Sequence, residues 1–180
     1  MAALVFDAVW INGSVGAGKT TTADRLGDEL EIRGIPGAVI DVDWLRRCWP
    51  SPTEDPFHAA LAVANIRAVA ENFRARGAQV IVVAGVLEDP AEVARGADAL
   101  GADRMLLVRL TVERAVAHSR IQRRHEGNEA ELEWHANRHP ELSLILEHAG
   151  FVDEMIIDTT LVTPHRAAQD IADRLQSVEL

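Results

Sequence analysis

The sequence contains very little cysteine and no long apolar run. Its 180 residues include one cysteine, Cys48, so an intrachain disulfide is impossible and a reducing compartment fits the composition. No segment is long and apolar enough to cross a bilayer. The first residues also lack a basic region followed by an apolar core, which is the pattern of a signal peptide. We therefore expect a cytoplasmic protein with no membrane partner.

Positive charge is scarce as well. The formal net charge is −10 and the isoelectric point is about 5.1, and so acidic a surface argues against general binding to nucleic acid. Only one of the 18 basic residues is a lysine, Lys19, and the others are arginines. The length predicts one domain, residues 1–180, with a core that is stable without disulfides or metals.

The one lysine lies in a glycine-rich stretch, Gly13-Ser14-Val15-Gly16-Ala17-Gly18-Lys19-Thr20. This stretch fits the phosphate-binding loop pattern of Gly, four residues and Gly-Lys-Ser/Thr. Its glycines allow backbone N–H groups to surround a phosphate, and the following helix adds its positive end. We expect this loop and Thr21 to bind the phosphates of a nucleotide. Lys19 would neutralise the β- and γ-phosphates, and the Thr20 hydroxyl would bind Mg²⁺.

The surroundings of this motif favour a nucleotide site over its alternative, a glycine-rich turn that binds nothing. An apolar run at 4–11 precedes the loop, and residues 21–32 follow it with apolar residues at helical spacing. The order of strand, loop and helix is the one the motif requires. Codon usage that favours arginine also explains a single lysine, but that lysine stands where a compact ammonium suits the site better than a guanidinium.

Strand-like and helix-like segments alternate along the whole chain. This alternation predicts an α/β fold, a three-layer sandwich with a five-stranded parallel sheet whose ligands bind at the carboxyl ends of the strands. We expect strands at 4–11, 38–41, 79–84, 104–110 and 152–157. We expect helices at 21–32, 57–76, 90–101, 111–126, 129–138 and 140–148, and a last one from 164. Helix caps are predicted at Asp89 and Thr111, and Thr163-Pro164 is expected to open the last helix.

Two carboxylates, Asp41 and Asp43, follow the second predicted strand. Asp43 would accept a proton from a substrate hydroxyl or hold Mg²⁺ through water, and Asp41 would support Mg²⁺ through water. The alternative for Asp43 is that it caps a short helix beginning at Trp44. Arg46 is a candidate clamp for the substrate, with a solvated surface arginine as its alternative. Trp44 is a candidate substrate wall, with core packing as its alternative.

Arginines concentrate between the fourth and fifth predicted strands. Arg120 and Arg124 are four residues apart, so they share one helix face, where they would stabilise a phosphoryl group during transfer. A solvated charged helix is the alternative. Arg138 is a further candidate for binding substrate. His135 and His139 are spaced i, i+4 but lack other apparent metal ligands, so we expect no metal there. Cys48 is expected to be a packed thiol.

The third predicted strand ends in Ala84-Gly85, with no carboxylate. ATPases that hydrolyse their nucleotide need an acid to hold Mg²⁺ and prepare water, so this ending favours transfer to a bound acceptor. Guanine recognition through Asn-Lys-x-Asp is impossible, because the chain has no second lysine.

The stretch 13–22, together with Asp41-Val42-Asp43-Trp44-Leu45-Arg46, resembles the small P-loop kinases: adenylylsulfate, shikimate and gluconate kinases. Residues 120–138 and 152–164 are similar to chloramphenicol phosphotransferase. The resemblance implies a nucleoside monophosphate kinase-like fold with strand order 2-3-1-4-5, an ATP donor, and an arginine-bearing lid at about 114–138. The segment after the third strand matches neither adenylylsulfate kinase nor shikimate kinase, so the acceptor does not carry over.

These observations predict an ATP-dependent phosphotransferase that uses Mg²⁺ and transfers a phosphoryl group to a hydroxyl of a small molecule. One alternative is a nucleotide-binding module that sequesters its ligand without turnover. Another is a nucleotide kinase, which is less favoured because few arginines occur between Arg47 and Arg67. A monomer or a homodimer is expected.

Overall fold

The computed structural model of the chain describes residues 3–152 and 155–176. In these ranges the strands are β1 (Ala8–Gly13), β2 (Gly37–Asp41), β3 (Val80–Ala84), β4 (Met105–Thr111) and β5 (Met155–Asp158). The helices are α1 (Lys19–Ile32), α2 (Val42–Leu45), α3 (Ala59–Ala75), α4 (Pro90–Leu100), α5 (Arg114–Arg124), α6 (Glu129–His148) and α7 (Pro164–Leu175). No helix in the described ranges combines the length and apolarity needed to span a bilayer.

The five strands form one sheet in the order β2-β3-β1-β4-β5, and every pairing is parallel. This arrangement confirms both the α/β class and the predicted strand order. Gly13 at the end of β1 is level with Leu110 in β4, and Asp41 at the end of β2 is level with Ala84 in β3. The carboxyl ends of the central strands therefore meet at one edge of the sheet.

Helices cover both faces of the sheet, which explains why β1 and β3 are buried along their whole length and are apolar except for Asn12. Val9 and Ile11 of β1 point to one face and join a core completed by α1 and α7. Ala8 and Trp10 point to the other face and join a core completed by α3 and α4. The alternation of side chains along a strand thus divides one apolar segment between two cores.

Two strand predictions differ from the structure. The first strand was expected at 4–11, but β1 begins only at Ala8. Leu4 instead forms an isolated antiparallel bridge with Gln176, and the Val5 N–H donates to the Leu175 carbonyl. Part of the fifth predicted strand, residues 153 and 154, lies outside the described residues.

The predicted cap at Asp89 is confirmed, and Thr163 caps the helix that it was expected to open. The side chain of Asp89 accepts a hydrogen bond from the Glu92 N–H, and Thr163 accepts one from the Arg166 N–H. The cap at Thr111 is wrong, because this residue is the last of β4 and its carbonyl accepts from the Thr159 N–H. Pairing with the neighbouring strand extends β4, so α5 begins only at Arg114.

The two helices expected on either side of residue 139 are one helix, α6, with Pro140 inside it. A proline inside a helix removes one backbone hydrogen bond and is usually disruptive. Here His139, Leu142 and Leu146 are buried on the same helix. Packing of that face therefore outweighs the local preference of proline.

Candidate functional site

The glycine-rich loop connects β1 to α1 at the carboxyl edge of the sheet. Gly13 has φ +149°, and a Cβ there would lie 2.7 Å from the Leu110 carbonyl oxygen, so only glycine fits. Gly18 is the N-cap of α1 with φ +96°, and no side chain caps this helix. The first N–H groups of α1 are therefore open to an anion, as the motif predicts. Thr21 is exposed in the first turn.

Lys19 bends back over the loop that precedes it. Its Nζ donates to the Gly13 carbonyl at 2.8 Å and to the Ser14 carbonyl at 3.1 Å. Burial lowers the pKa of this ammonium to about 8. The negative charges of Asp43 and Asp41 raise the pKa, but by less than burial lowers it. The ammonium therefore lies close enough to both predicted carboxylates to sense their charge.

A hydroxyl and a carboxylate meet beside the loop. Thr20 Oγ1 donates to Asp41 Oδ2 at 2.8 Å, and Asp41 Oδ1 accepts from the Asp43 N–H at 2.9 Å. Asp41, rather than Asp43, is thus the N-cap of α2, so the predicted capping role of Asp43 is wrong. The ladder between β2 and β3 ends at Asp41, and the helix starts at Val42, two residues earlier than the sequence suggested.

The Thr20–Asp41 pair has the chemistry that Mg²⁺ prefers. Magnesium takes hard oxygen ligands, keeps several waters and usually uses only one or two protein carboxylates together with substrate phosphates. The residues 3–152 and 155–176 contain no cluster of three or more acidic, His or Cys side chains that would form a complete metal cage. The pair therefore fits a magnesium ion carried with a nucleotide rather than a permanent metal site.

The Asp43 side chain is 63% exposed and forms an ion pair with Arg46. Next to it, Trp44 is 69% exposed, and the Arg47 guanidinium lies 4.8 Å above its ring. Core packing, the alternative considered for Trp44, is therefore wrong in this structure. Cys48 is also exposed, so the expectation of a packed thiol is wrong. Trp44 lies in the short helix α2 and Cys48 lies just after it, and both side chains are exposed to solvent.

The predicted lid arginines occupy different environments. Arg120 donates to the Gly16 carbonyl at 3.1 Å, to the Thr159 carbonyl at 2.7 Å and to Thr159 Oγ1 at 3.1 Å. The Arg124 side chain has no hydrogen bond or ion pair within the described part of the chain, but its charge lowers the pKa of Lys19. Arg138 is held in ion pairs with Glu88 and Glu141.

Sequence reasoning missed Asn12, the residue that precedes the loop. Its side chain is fully buried, and its Nδ2 donates to the Leu87 carbonyl at 2.8 Å. Its Oδ1 accepts from the N–H groups of Gly13 at 2.8 Å and Leu87 at 3.2 Å. Asn12 therefore ties the start of the loop to the segment after β3. A lone amide directly after an apolar run was the available signal, since a buried polar group needs partners.

Two more residues that contact the loop were missed as such. His139 of α6 is 4% exposed, with its Nδ1 2.8 Å from the Val15 carbonyl oxygen and 3.1 Å from Ser14 Oγ. Thr159, after β5, donates from its hydroxyl to the Ala17 carbonyl at 2.9 Å. Nothing in the local sequence pattern marks either residue, because both contacts depend on how distant segments pack.

The end of β3 approaches α2 too closely to hold a side chain. A Cβ at Gly85 would lie 2.6 Å from Val42 Cγ2 and 3.3 Å from the Trp10 ring. The Trp10 Nε1 also donates to the Gly85 carbonyl at 3.1 Å. There is therefore no room at Gly85 for the carboxylate that a hydrolysing ATPase would have after its third strand.

Comparison with known proteins agrees with this architecture. A family model described as an AAA domain matches residues 9–142. No protein of curated function matches the sequence significantly. The structure of an APS kinase from Mycobacterium tuberculosis in complex with AMPPNP and APS is similar, with a TM-score of 0.62, 17% identity, and 95% of this chain and 98% of that chain covered.

Two further solved structures share the fold. A gluconokinase from Sinorhizobium meliloti 1021 has a TM-score of 0.60 and 18% identity, with 94% of this chain and 93% of that chain covered. A tunicamycin resistance protein from Deinococcus radiodurans has a TM-score of 0.57 and 23% identity, with 93% and 94% covered. The resemblance to the small P-loop kinases is therefore confirmed at the level of the fold, and the family that the chain matches is that of AAA domains.

Proposed function

The chain belongs to the AAA domain family, and from this premise we propose that it is an ATP-dependent phosphotransferase acting on a hydroxyl of a small molecule. One observation carries the proposal. Thr20 Oγ1, at the end of the phosphate-binding loop, donates to Asp41 Oδ2 at 2.8 Å, and Asp41, which ends a different strand, accepts from the Asp43 N–H. A site for phosphate and a pair of carboxylates thus share one cleft.

Each residue of this cleft has a separate role in phosphoryl transfer. When bound, Mg²⁺–ATP supplies the γ-phosphoryl group, and the metal offsets part of its negative charge. The Thr20 hydroxyl and Asp41 would hold the ion, directly and through water respectively. The Lys19 ammonium would contact the β- and γ-phosphates, and Arg124 is available to stabilise the phosphoryl oxygens during transfer. Asp43 would accept the proton of the acceptor hydroxyl.

Transfer to an acceptor is favoured over hydrolysis by the end of β3. An enzyme that hydrolyses ATP positions its attacking water with an acidic or amide side chain. Gly85 has no room for a Cβ, and Glu88 farther along is held by Arg138. The carboxylates available to activate a nucleophile come instead from the end of β2, where a bound alcohol would lie.

The acceptor that fits this cleft carries little net charge. Arg46 is neutralised by Asp43, and Arg138 is neutralised by Glu88 and Glu141. Arginines that are already paired gain less from an anionic substrate, because binding it must break or share the existing ion pair. The exposed ring of Trp44 offers an apolar face. This charge balance argues for an uncharged alcohol over a nucleoside monophosphate, the acceptor of a nucleotide kinase.

The proposal is tested by an ATP-consumption screen over hydroxylated compounds, each paired with its carboxylated or phosphorylated analogue. We expect turnover with uncharged members, and its loss in Lys19→Ala. Asp43→Asn separates an enzyme from a module that only sequesters nucleotide. It should lower kcat by about 10²-fold or more, the range of general-base catalysis, while the Kd for MgATP changes little. Failure of every acceptor, with unchanged ATP binding in Lys19→Ala, would refute the proposal.

A further inference from the structure

Three consecutive carbonyl groups of the phosphate-binding loop are held by side chains from three other parts of the chain. The Val15 carbonyl accepts from His139 Nδ1 at 2.8 Å. The Gly16 carbonyl accepts from Arg120 Nη1 at 3.1 Å. The Ala17 carbonyl accepts from Thr159 Oγ1 at 2.9 Å, although that hydroxyl also lies 3.1 Å from the Thr111 carbonyl.

Holding these carbonyls also orients the N–H groups that bind phosphate. In a trans peptide the C=O and the following N–H point in opposite directions. Fixing the carbonyls of Val15 and Ala17 toward outside side chains therefore turns the N–H groups of Gly16 and Gly18 away from them. Neither N–H has a hydrogen-bond partner among the described residues, so both are free to donate to an anion.

The direction of the His139 hydrogen bond follows from its partner. The Val15 carbonyl oxygen can only accept, so Nδ1 must carry the proton, and Ser14 Oγ at 3.1 Å lies within reach of the same N–H. The imidazole is 4% exposed. His139 belongs to α6, the helix that follows the arginine-bearing helix α5. Through this hydrogen bond, the position of α6 affects the conformation of the loop.

We propose that His139 is a positioning residue of the phosphate-binding loop. Its Nδ1–H holds the Val15 carbonyl outward and so keeps the Gly16 N–H ready for a nucleotide phosphate. The inference rests on the proposed function, because it requires the loop to bind a nucleotide. Phosphate affinity then depends on a residue outside the motif. This residue acts through the loop rather than by touching the nucleotide.

The test compares three substitutions that differ in where they place a donor. The Asn amide nitrogen is as far from Cα as His Nδ1 in number of bonds, whereas the Gln amide nitrogen takes the more distant place of Nε2. We expect His139→Leu and His139→Gln to raise the Kd for MgATP about tenfold, as for one lost hydrogen bond in a charged site. His139→Asn should stay within about threefold of the unaltered chain, since the donor is restored.

A matched control comes from the same helix. Ser143 donates from its hydroxyl to the His139 carbonyl at 2.8 Å and does not contact the loop. Ser143→Ala should therefore leave the Kd for MgATP unchanged. Kd is measured by titration calorimetry, and folding is checked by circular dichroism. If His139→Leu does not fold, the comparison of His139→Asn with His139→Gln decides, because both keep a polar amide at this position.

The outcomes separate the inference from the proposed function. Equal MgATP affinity in the unaltered chain and in folded His139→Leu overturns the inference and leaves the proposed function intact. Equal weakening in His139→Asn and His139→Gln also overturns it, because the position of the donor would then be irrelevant. An unaltered chain that binds no MgATP overturns the proposed function, and the inference with it.

Discussion

Thr20 and Asp41 are joined by a 2.8 Å hydrogen bond from the threonine hydroxyl to the carboxylate, across 21 positions of sequence. One residue ends the phosphate-binding motif, and the other ends the strand at the edge of the sheet. The bond places a hard oxygen ligand for Mg²⁺ next to a negative charge that would attract the ion and its water shell. The same carboxylate also caps α2, so a substitution there has to be chosen to separate the two roles.

Asp41→Asn makes that separation. Asparagine is as good an N-cap as aspartate, so the free energy of unfolding should change by less than about 1 kcal/mol. Loss of the charge should raise the Mg²⁺ concentration that half-saturates ATP binding by about tenfold, the lower end for residues behind a metal ligand. Asp28→Asn is the control, since it removes one negative charge from an exposed pair with Arg25. An unchanged magnesium dependence would contradict the assignment of Asp41.

The pH dependence of nucleotide binding follows from Lys19. Burial lowers its pKa to about 8, so the free protein loses the ammonium as the pH rises through that value. Phosphates bind the charged form. Affinity for MgATP should therefore fall by about tenfold between pH 7 and pH 9, as linkage to one group with this pKa requires. Calorimetry across this range measures it. Lys19→Ala should remove this dependence, and a flat profile for the unaltered chain would argue against a charged Lys19 as the phosphate ligand.

Arg120 and Arg124 should differ in what their loss affects. Arg120 holds the loop and the Thr159 turn through three hydrogen bonds. Arg120→Ala should therefore lower Tm and weaken MgATP binding together, because it leaves the acceptors of these bonds unsatisfied. Arg124 is exposed and has no such bonds to other described residues. Arg124→Ala should leave Tm unchanged and lower kcat by about 10²-fold or more, as for one group that stabilises the transition state.

These two effects are measured by thermal denaturation and by steady-state kinetics with an acceptor from the screen. Arg114, exposed at the start of α5, is the control for loss of one positive charge from the same helix. Equal effects of Arg120→Ala and Arg124→Ala on stability would show that the two arginines do not divide these roles.

Packing of α4 against the sheet gives a prediction about stability alone. A Cβ at Gly96 would lie 2.9 Å from the Trp10 ring, which is 2% exposed and tethered to Gly85. Gly96→Ala gains about 1 kcal/mol of helix propensity, but the overpacking costs about 1–3 kcal/mol. We therefore expect a net destabilisation, seen as a Tm that falls by a few degrees in calorimetry.

The matched control is the helical glycine of α1, Gly27. A Cβ there would lie 2.8 Å from Val39 Cγ2, but Val39 is 36% exposed on an edge strand and its side chain can turn away. Gly27→Ala should therefore be neutral or stabilising. If the two substitutions have the same effect, the buried indole is not the cause of the Gly96 result.

Local signals in the sequence predicted much of the fold. The apolar strand, glycine loop and helix around Lys19 were recognisable, because glycine requirements and apolar periodicity are encoded within about 30 residues. The cap at Asp89 and the start of α7 at Thr163-Pro164 were found for the same reason, since the start of a helix is marked by neighbouring residues. The errors at Thr111 and Pro140 arose where pairing with β5 and burial of one face of α6 outweighed local preference.

The candidate site was less accessible to sequence reasoning than the fold. Asp41 and Asp43 were placed beside the loop by the rule that parallel strands end at one edge. The cap of α2 by Asp41 rather than Asp43 was not foreseen, because the residue that caps α2 depends on where pairing with β3 ends. The roles assigned to Arg120, Arg124 and the carboxylates remain predictions until the variants are measured.

The chain alone determined the phosphate-binding loop, the α/β class and the edge of the sheet at which a ligand would bind, because these follow from short-range glycine, charge and periodicity patterns. Only the tertiary structure showed that His139, Arg120 and Thr159 hold three successive loop carbonyls from outside. Those contacts join residues 104 to 142 positions apart in sequence. A hydrogen bond of this kind leaves no periodic mark in either partner, since it depends on where the packed helices place each donor.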